Sequence, residues 1–210
     1  YITYSDNIII NSDNMKLELK IVDLLSRNTE RNFSINEIAK SLKGHYSFVH
    51  RTVYNLVNYA VIKKTKAGKA YLCSLNLENE KTLILIQELE YEKRIEFFEK
   101  NKDLKVIISD FISSIMPNIM TAVLFGSYVK GKATKESDID IFILVKKKTD
   151  LGKLIKEIYA KYGKEINPIM MTKDEFKRQK DKTLIKEIID NHLVLYSIFD
   201  FVRIFLKNEV

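Results

Sequence analysis

Fifteen residues, GSYVKGKATKESDID from Gly126 to Asp140, constrain this chain more than any other stretch. An apolar run, Thr121 to Phe125, leads into them, and a second, Asp138 to Val145 (DIDIFILV), carries on from their end. Both runs are predicted as strands, so whatever lies between must turn the chain from one to the other. The first eight residues miss a phosphate loop of the form Gly-x-x-x-x-Gly-Lys-Ser/Thr at one position, where Ala133 replaces the hydroxyl. Such a loop needs a helix directly after its Gly-Lys, because phosphate sits on the N–H groups of that helix. Here a strand begins six residues beyond Lys132. The reading fails on space.

A different reading meets each constraint. A strand ending at Phe125 delivers Gly126-Ser127 to a tight turn, where Gly lets the backbone come close to phosphate and Ser offers a hydroxyl and an N–H. A short helical turn through Tyr128, Val129 and Lys130 then gives way to a loop from Gly131. Asp138 and Asp140 are spaced i, i+2, which puts both carboxylates on one face of a strand while Ile139 and Ile141 enter the core. Two carboxylates so close repel unless a cation lies between them, so the pattern anticipates divalent metal. A pair of Mg²⁺ ions ~3.5–4 Å apart would suit in-line displacement on a triphosphate.

Gly-Ser followed at this spacing by Asp-x-Asp resembles the DNA polymerase β-like nucleotidyltransferase superfamily. FGSYVKGKATKESDIDIFILV is most similar to its minimal prokaryotic members, with Lys130, Gly131 and Ser137-Asp138-Ile139-Asp140 at matching places. The resemblance implies a small mixed sheet with helices across 116–210, and transfer of NMP, AMP from ATP above all, to an acceptor hydroxyl. It implies Mg²⁺ or Mn²⁺ on Asp138, Asp140 and a third carboxylate, and nucleotide contacts from Gly126, Ser127, Lys130 and Ser137. Ser137 reads equally as a local turn hydroxyl. Either Glu165 or Asn167, which share a strand face in KEINPIM, can occupy the third position. Glu165 completes a three-carboxylate site with a base; Asn167 leaves it short of a charge. Acceptors in such a family include protein side chains, RNA ends and small molecules, and many minimal members act as antitoxins beside a toxin-like partner.

The first 76 residues read differently. Met15 to Arg27 places Leu17, Ile21, Leu24 and Leu25 at helical spacing, and Ser34-Ile-Asn-Glu37 is a capping box opening a second helix. A third helix runs from Tyr46 to about Ala60, burying Val49, Val53, Leu56 and Val57. Two strand-like runs around Ala67-Gly68 then form a hairpin that carries Cys73. Three helices and a basic hairpin make a winged helix-turn-helix. Residues 1–76 hold 11 Lys and Arg against 6 Asp and Glu, and between Phe33 and Ala70 there are seven bases to one acid, Glu37. That local excess points to double-stranded DNA, met by Tyr46, Ser47, His50 and Arg51 on the third helix and by Lys63, Lys64, Lys66 and Lys69 on the wing. Dimerisation or partner docking is the competing use of such a module.

The expected architecture is therefore α/β (α+β): a winged helix-turn-helix over 1–76, a helical connector over 77–115 closed by Pro117, and a nucleotidyltransferase domain over 116–210. After DIDIFILV the pattern gives helix Leu151 to Tyr162, strand Glu165 to Met171, a helix capped by Thr172-Lys-Asp-Glu175, helix Thr183 to Asn191, strand His192 to Tyr196 and helix Phe199 to Leu206. A single cysteine excludes an internal disulfide, and three scattered histidines, His45, His50 and His192, make no metal set. No apolar run reaches the ~18–20 residues of a membrane span and the start does not read as a signal peptide, so a cytoplasmic chain is expected, with a short native segment ahead of Tyr1. A second function fits the same features: a DNA-binding regulator, possible as a homodimer, whose transferase domain is inactive and senses nucleotide or docks a partner.

Overall fold

A computed structural model describes residues 15–28, 31–68, 70–180 and 182–207. The chain divides into two units, with the division between Leu89 and Glu90, inside a helix. Lys69 of the predicted wing lies outside the described residues.

The first unit runs α1 (Leu17–Ser26), α2 (Ile35–Ser41), α3 (Tyr46–Asn58), β1 (Ile62–Ala67) and β2 (Ala70–Leu75), then enters α4 (Glu80–Lys100). The capping box forms as its residues dictate. The Ser34 hydroxyl accepts from the Glu37 N–H at 3.3 Å, and the Glu37 carboxylate accepts from the Ser34 N–H at 2.8 Å. α3 closes at Asn58, two residues earlier than its periodicity predicts, because Ala60 takes φ 55° and the Val61 N–H turns back to the Leu56 carbonyl at 2.8 Å. The apolar stripes of α1 and α3 meet in a core of Ile21, Val22, Leu25, Val49, Val53 and Leu56. β1 and β2 pair antiparallel with Ala67 opposite Ala70. Cys73 is buried, and its main chain forms a two-bond bridge with Phe33 at 2.9 and 2.7 Å.

The second unit begins in α4 and continues through α5 (Lys102–Ile115), a 3-10 turn at Met116–Asn118 containing Pro117, β3 (Ile119–Leu124), β4 (Ile139–Val145), α6 (Gly152–Tyr162), β5 (Ile166–Thr172), α7 (Lys173–Gln179), α8 (Thr183–Asp190), β6 (Leu193–Tyr196) and α9 (Ile198–Phe201), with a π-helical turn at Val202–Leu206. The connector drawn at 77–115 is thus shared between the units. Its second half builds this one, since Leu104, Ile107, Ile108, Phe111, Ile112 and Ile115 of α5 enter the same core as the sheet.

The sheet order is β5-β4-β3-β6, with β4 and β5 parallel and the other pairs antiparallel. β4 explains why its sequence is a continuous apolar run. Ile139, Ile141, Ile143 and Val145 face the core with α5 and α6, while Phe142, on the opposite face, packs edge-on to Phe205 at 5.9 Å and near Phe176 at 6.3 Å. Both faces of the strand are covered, and each fully buried side chain contributes about 1.5–3 kcal/mol. Asp140 shares the face of Phe142 but sits at the strand's open end, half-buried.

Candidate active site

The site is built where β3 stops. The Phe125 N–H extends the pairing to the Asp140 carbonyl at 3.0 Å, after which the chain coils once. Lys130 N–H donates to the Gly126 carbonyl at 3.2 Å and Lys132 N–H to the Ser127 carbonyl at 2.9 Å. Gly126 holds φ +77°, and a Cβ placed on it would lie 2.2 Å from Asp140 Oδ2 and 3.0 Å from its Cγ. Only glycine satisfies both the left-handed backbone and the carboxylate pressed against its Cα. The Gly-Ser turn and the Asp-x-Asp segment are therefore one structure, assembled across a 10-residue gap.

Burial pushes the Asp140 carboxyl above the ordinary aspartate range; a hydrogen bond from Asn167 opposes this, and the nearby Asp138 charge adds to it. Asp138 is exposed, one residue before β4 begins. The parallel register sets Asp140 beside Asn167, whose Nδ2 donates to Asp140 Oδ1 at 3.1 Å. Glu165 stands one residue ahead of β5, exposed, and its main-chain carbonyl accepts from the Ile139 N–H at 2.8 Å. The structure thus brings Asn167, rather than Glu165, to the Asp140 carboxylate.

Other residues of the stretch are held partly within the loop itself and partly by partners distant in sequence. The Lys130 ammonium pairs with Glu187 of α8. The Ser137 hydroxyl accepts from the Thr134 N–H at 2.8 Å, so it serves the loop's own turn. Tyr128 donates its phenol proton to the Ser137 carbonyl at 3.3 Å, and the Lys164 ammonium bonds the Lys135 carbonyl. Glu187 and Lys164 lie 57 and 29 residues from their partners, with no motif around them to mark the contact.

Asp138 and Asp140 form a donor pair suited to one divalent cation, both hard oxygen ligands at the mouth of a glycine-lined turn. Among the described residues no group of three or more His, Cys, Asp or Glu side chains is gathered closely enough to hold a metal ion.

In the first unit, Tyr46, Ser47, His50 and Arg51 are all exposed on α3, as are Lys63, Lys64 and Lys66 on β1. The His50 ring lies between Tyr46 (5.7 Å) and Tyr54 (6.4 Å, stacked), one ladder of rings along the open face of the helix.

A mixed four-stranded sheet that sets Asp140, with Asp138 just ahead of the same strand, against a Gly-Ser turn from its neighbour is the arrangement of a nucleotidyltransferase. Residues 107–199 match the model of the family described as polymerase beta, nucleotidyltransferase. Three proteins of Methanocaldococcus jannaschii, each named as an inferred protein adenylyltransferase, are similar to this chain. One is 31% identical over 98 residues, 46% of this chain and 98% of its own length. The others are 25% identical (50% of this chain, 80% of the relative) and 33% identical (36% and 75%). This chain belongs to the polymerase beta nucleotidyltransferase family. Among solved structures, a toxin–antitoxin complex with AMP-PNP overlaps 50% of this chain and 82% of its own at 19% identity and TM-score 0.40, a likeness below the level at which a shared fold follows.

Proposed function

We propose that the second unit moves an AMP group from ATP to a hydroxyl on a protein acceptor. The observation that carries this is the apposition of Gly126 and Asp140, which couples a phosphate-accommodating turn to a carboxylate pair. The names of the relatives support adenylyl as the group and protein as the acceptor class. A divalent ion on Asp138 and Asp140 would neutralise triphosphate oxygens. The chain's own residues do the rest. The Gly126 backbone admits phosphate, the Ser127 hydroxyl and N–H donate to it, and Lys130, released from Glu187, adds a positive charge. The acceptor oxygen bonds to the α-phosphorus, the bond to pyrophosphate breaks, and pyrophosphate departs. Glu165, level with Asp138 in the extended register, is the residue to which we assign the hydroxyl proton. Incubation with α-labelled ATP, Mg²⁺ and candidate acceptor proteins tests the proposal. Label transfer that disappears in Asp138→Ala with Asp140→Ala supports it; nucleotide binding without transfer to any acceptor favours the regulator reading instead.

We further propose that the first unit is a winged helix-turn-helix that binds duplex DNA. The open basic and aromatic face of α3 and the three exposed lysines of β1 favour this use. Binding is expected to be salt-dependent, with a log–log slope of about −4 to −5, less steep by about 3 in the triple variant Lys63→Ala, Lys64→Ala, Lys66→Ala. A slope unchanged in that variant, or duplex binding unaffected by Arg51→Ala, removes this surface from the reading.

A further inference from the structure

We infer that this site takes one divalent ion with its nucleotide, not two, because Asn167 stands where a second ion needs a carboxylate. The inference deepens the transfer function proposed above and rests on it.

The parallel register places Asp140 and Asn167 side by side, so both side chains leave the sheet on the same face. The contact between them fixes the chemistry of the position. A carboxylate only accepts hydrogen bonds, so the amide must turn its NH₂ toward Asp140 Oδ1, 3.1 Å away. In that orientation it presents its NH₂, which cannot ligate a cation, and it brings no negative charge to the site. The other oxygen, Oδ2, is pressed against Gly126, where a Cβ would come within 2.2 Å. Asp140 is thereby oriented by two neighbours, neither of which brings negative charge.

Among the described residues no other acid replaces it. Glu165 lies outside β5, and among the described residues Asp138, Asp140 and Glu165 do not gather into a three-acid cluster. Two ions ~3.5–4 Å apart repel one another, so a second ion is held firmly only where added negative charge offsets that repulsion. Asp138 and Asp140 suffice for the ion that arrives with the triphosphate. Among the described residues the second has no further acid to hold it.

Counting ions tests this without reference to turnover. Mn²⁺ is titrated into the full chain saturated with α,β-methylene-ATP, and bound ion is measured by electron paramagnetic resonance. One Mn²⁺ per complex is expected for the wild type and two for Asn167→Asp. Melting supplies a second readout. Asn167→Asp sets two carboxylates together in place of a hydrogen bond, so without metal it melts below the wild type. Saturating Mn²⁺ with the analogue then raises its Tm by more than it raises that of the wild type. Two ions on the wild type, or a single ion on Asn167→Asp, overturns the inference and leaves the nucleotide site standing. Failure of the wild type to bind Mn²⁺ with the analogue overturns the nucleotide site and the inference with it. If Asn167→Asp does not fold, the wild-type count decides, and Asn167→Ala is expected to match it at one.

Discussion

Gly126→Ala is expected to damage stability and the site together, and the structure supplies both magnitudes. At φ +77° an L-residue costs about 1–2 kcal/mol. The new Cβ would lie 2.2 Å from Asp140 Oδ2, and real Cβ atoms do not approach closer than 3.0 Å, so something must move by about 0.8 Å. Relieving such overpacking costs about 1–3 kcal/mol, for a total of about 2–5 kcal/mol. The group easiest to displace is the Asp140 carboxylate itself, and a misplacement near 1 Å lowers a positioned reaction by about 10²-fold. Urea denaturation and label transfer from ATP measure the two effects. A double-mutant cycle isolates the cause: in an Asp140→Ala background the penalty of Gly126→Ala should shrink to the backbone part, about 1–2 kcal/mol. A Gly126→Ala protein as stable as the wild type, or a penalty undiminished by Asp140→Ala, would refute the steric reasoning.

Two further outcomes follow from buried and half-buried charge. In the second unit the Glu90 carboxylate bonds the Lys93 ammonium at 2.7 Å with both side chains 3% exposed, and His192 Nε2 lies 3.3 Å away. Burial would raise the Glu90 carboxyl, but the charge and hydrogen bond of the Lys93 ammonium, with His192 close by, outweigh it and hold the group far below the usual glutamate range. Glu90→Ala removes the buried carboxylate that pairs with the Lys93 ammonium and is expected to cost about 3–5 kcal/mol by urea denaturation. Because the folded pKa is depressed, the stability it contributes is present above the unfolded glutamate pKa and lost as pH falls toward the folded value, so the Glu90→Ala deficit should narrow in acid. Asp140 behaves oppositely. Its pKa is raised, so ionisation works against the fold above the unfolded aspartate pKa. In metal-free buffer Asp140→Asn should melt above the wild type at neutral pH, and the gain should vanish below the ordinary aspartate range; a gain that persists in acid would reject that account.

The elements and the core of this chain are legible because each obeys a local rule. The capping boxes at Ser34 and Thr172 form with both reciprocal bonds. In IDIFILV every apolar residue is buried, as a strand covered on both faces requires, and only Asp140 is half-buried. Where a periodicity overran, as at the end of α3, the cause was a single backbone angle at Ala60 that side-chain spacing does not encode. The candidate site was legible at its two ends, Gly126-Ser127 and Asp138/Asp140, because their spacing is local. The membership of β5 was not. Glu165 and Asn167 have the same parity, so alternation cannot separate them, and the choice depends on how far one strand slides along another.

Sequence alone determined that a glycine turn and two aspartates spaced i, i+2 would flank a loop too short for a helix, since those are consequences of spacing along one chain. Tertiary structure decided that Asp140 presses on Gly126, that Lys130 answers to Glu187, and that Asn167 rather than Glu165 meets the Asp140 carboxylate. Each of these contacts joins segments distant in sequence through strand register or helix packing. Register is set by the packing of the whole sheet, and a slide of two residues would exchange Asn167 for Glu165 without altering which side chains face the core.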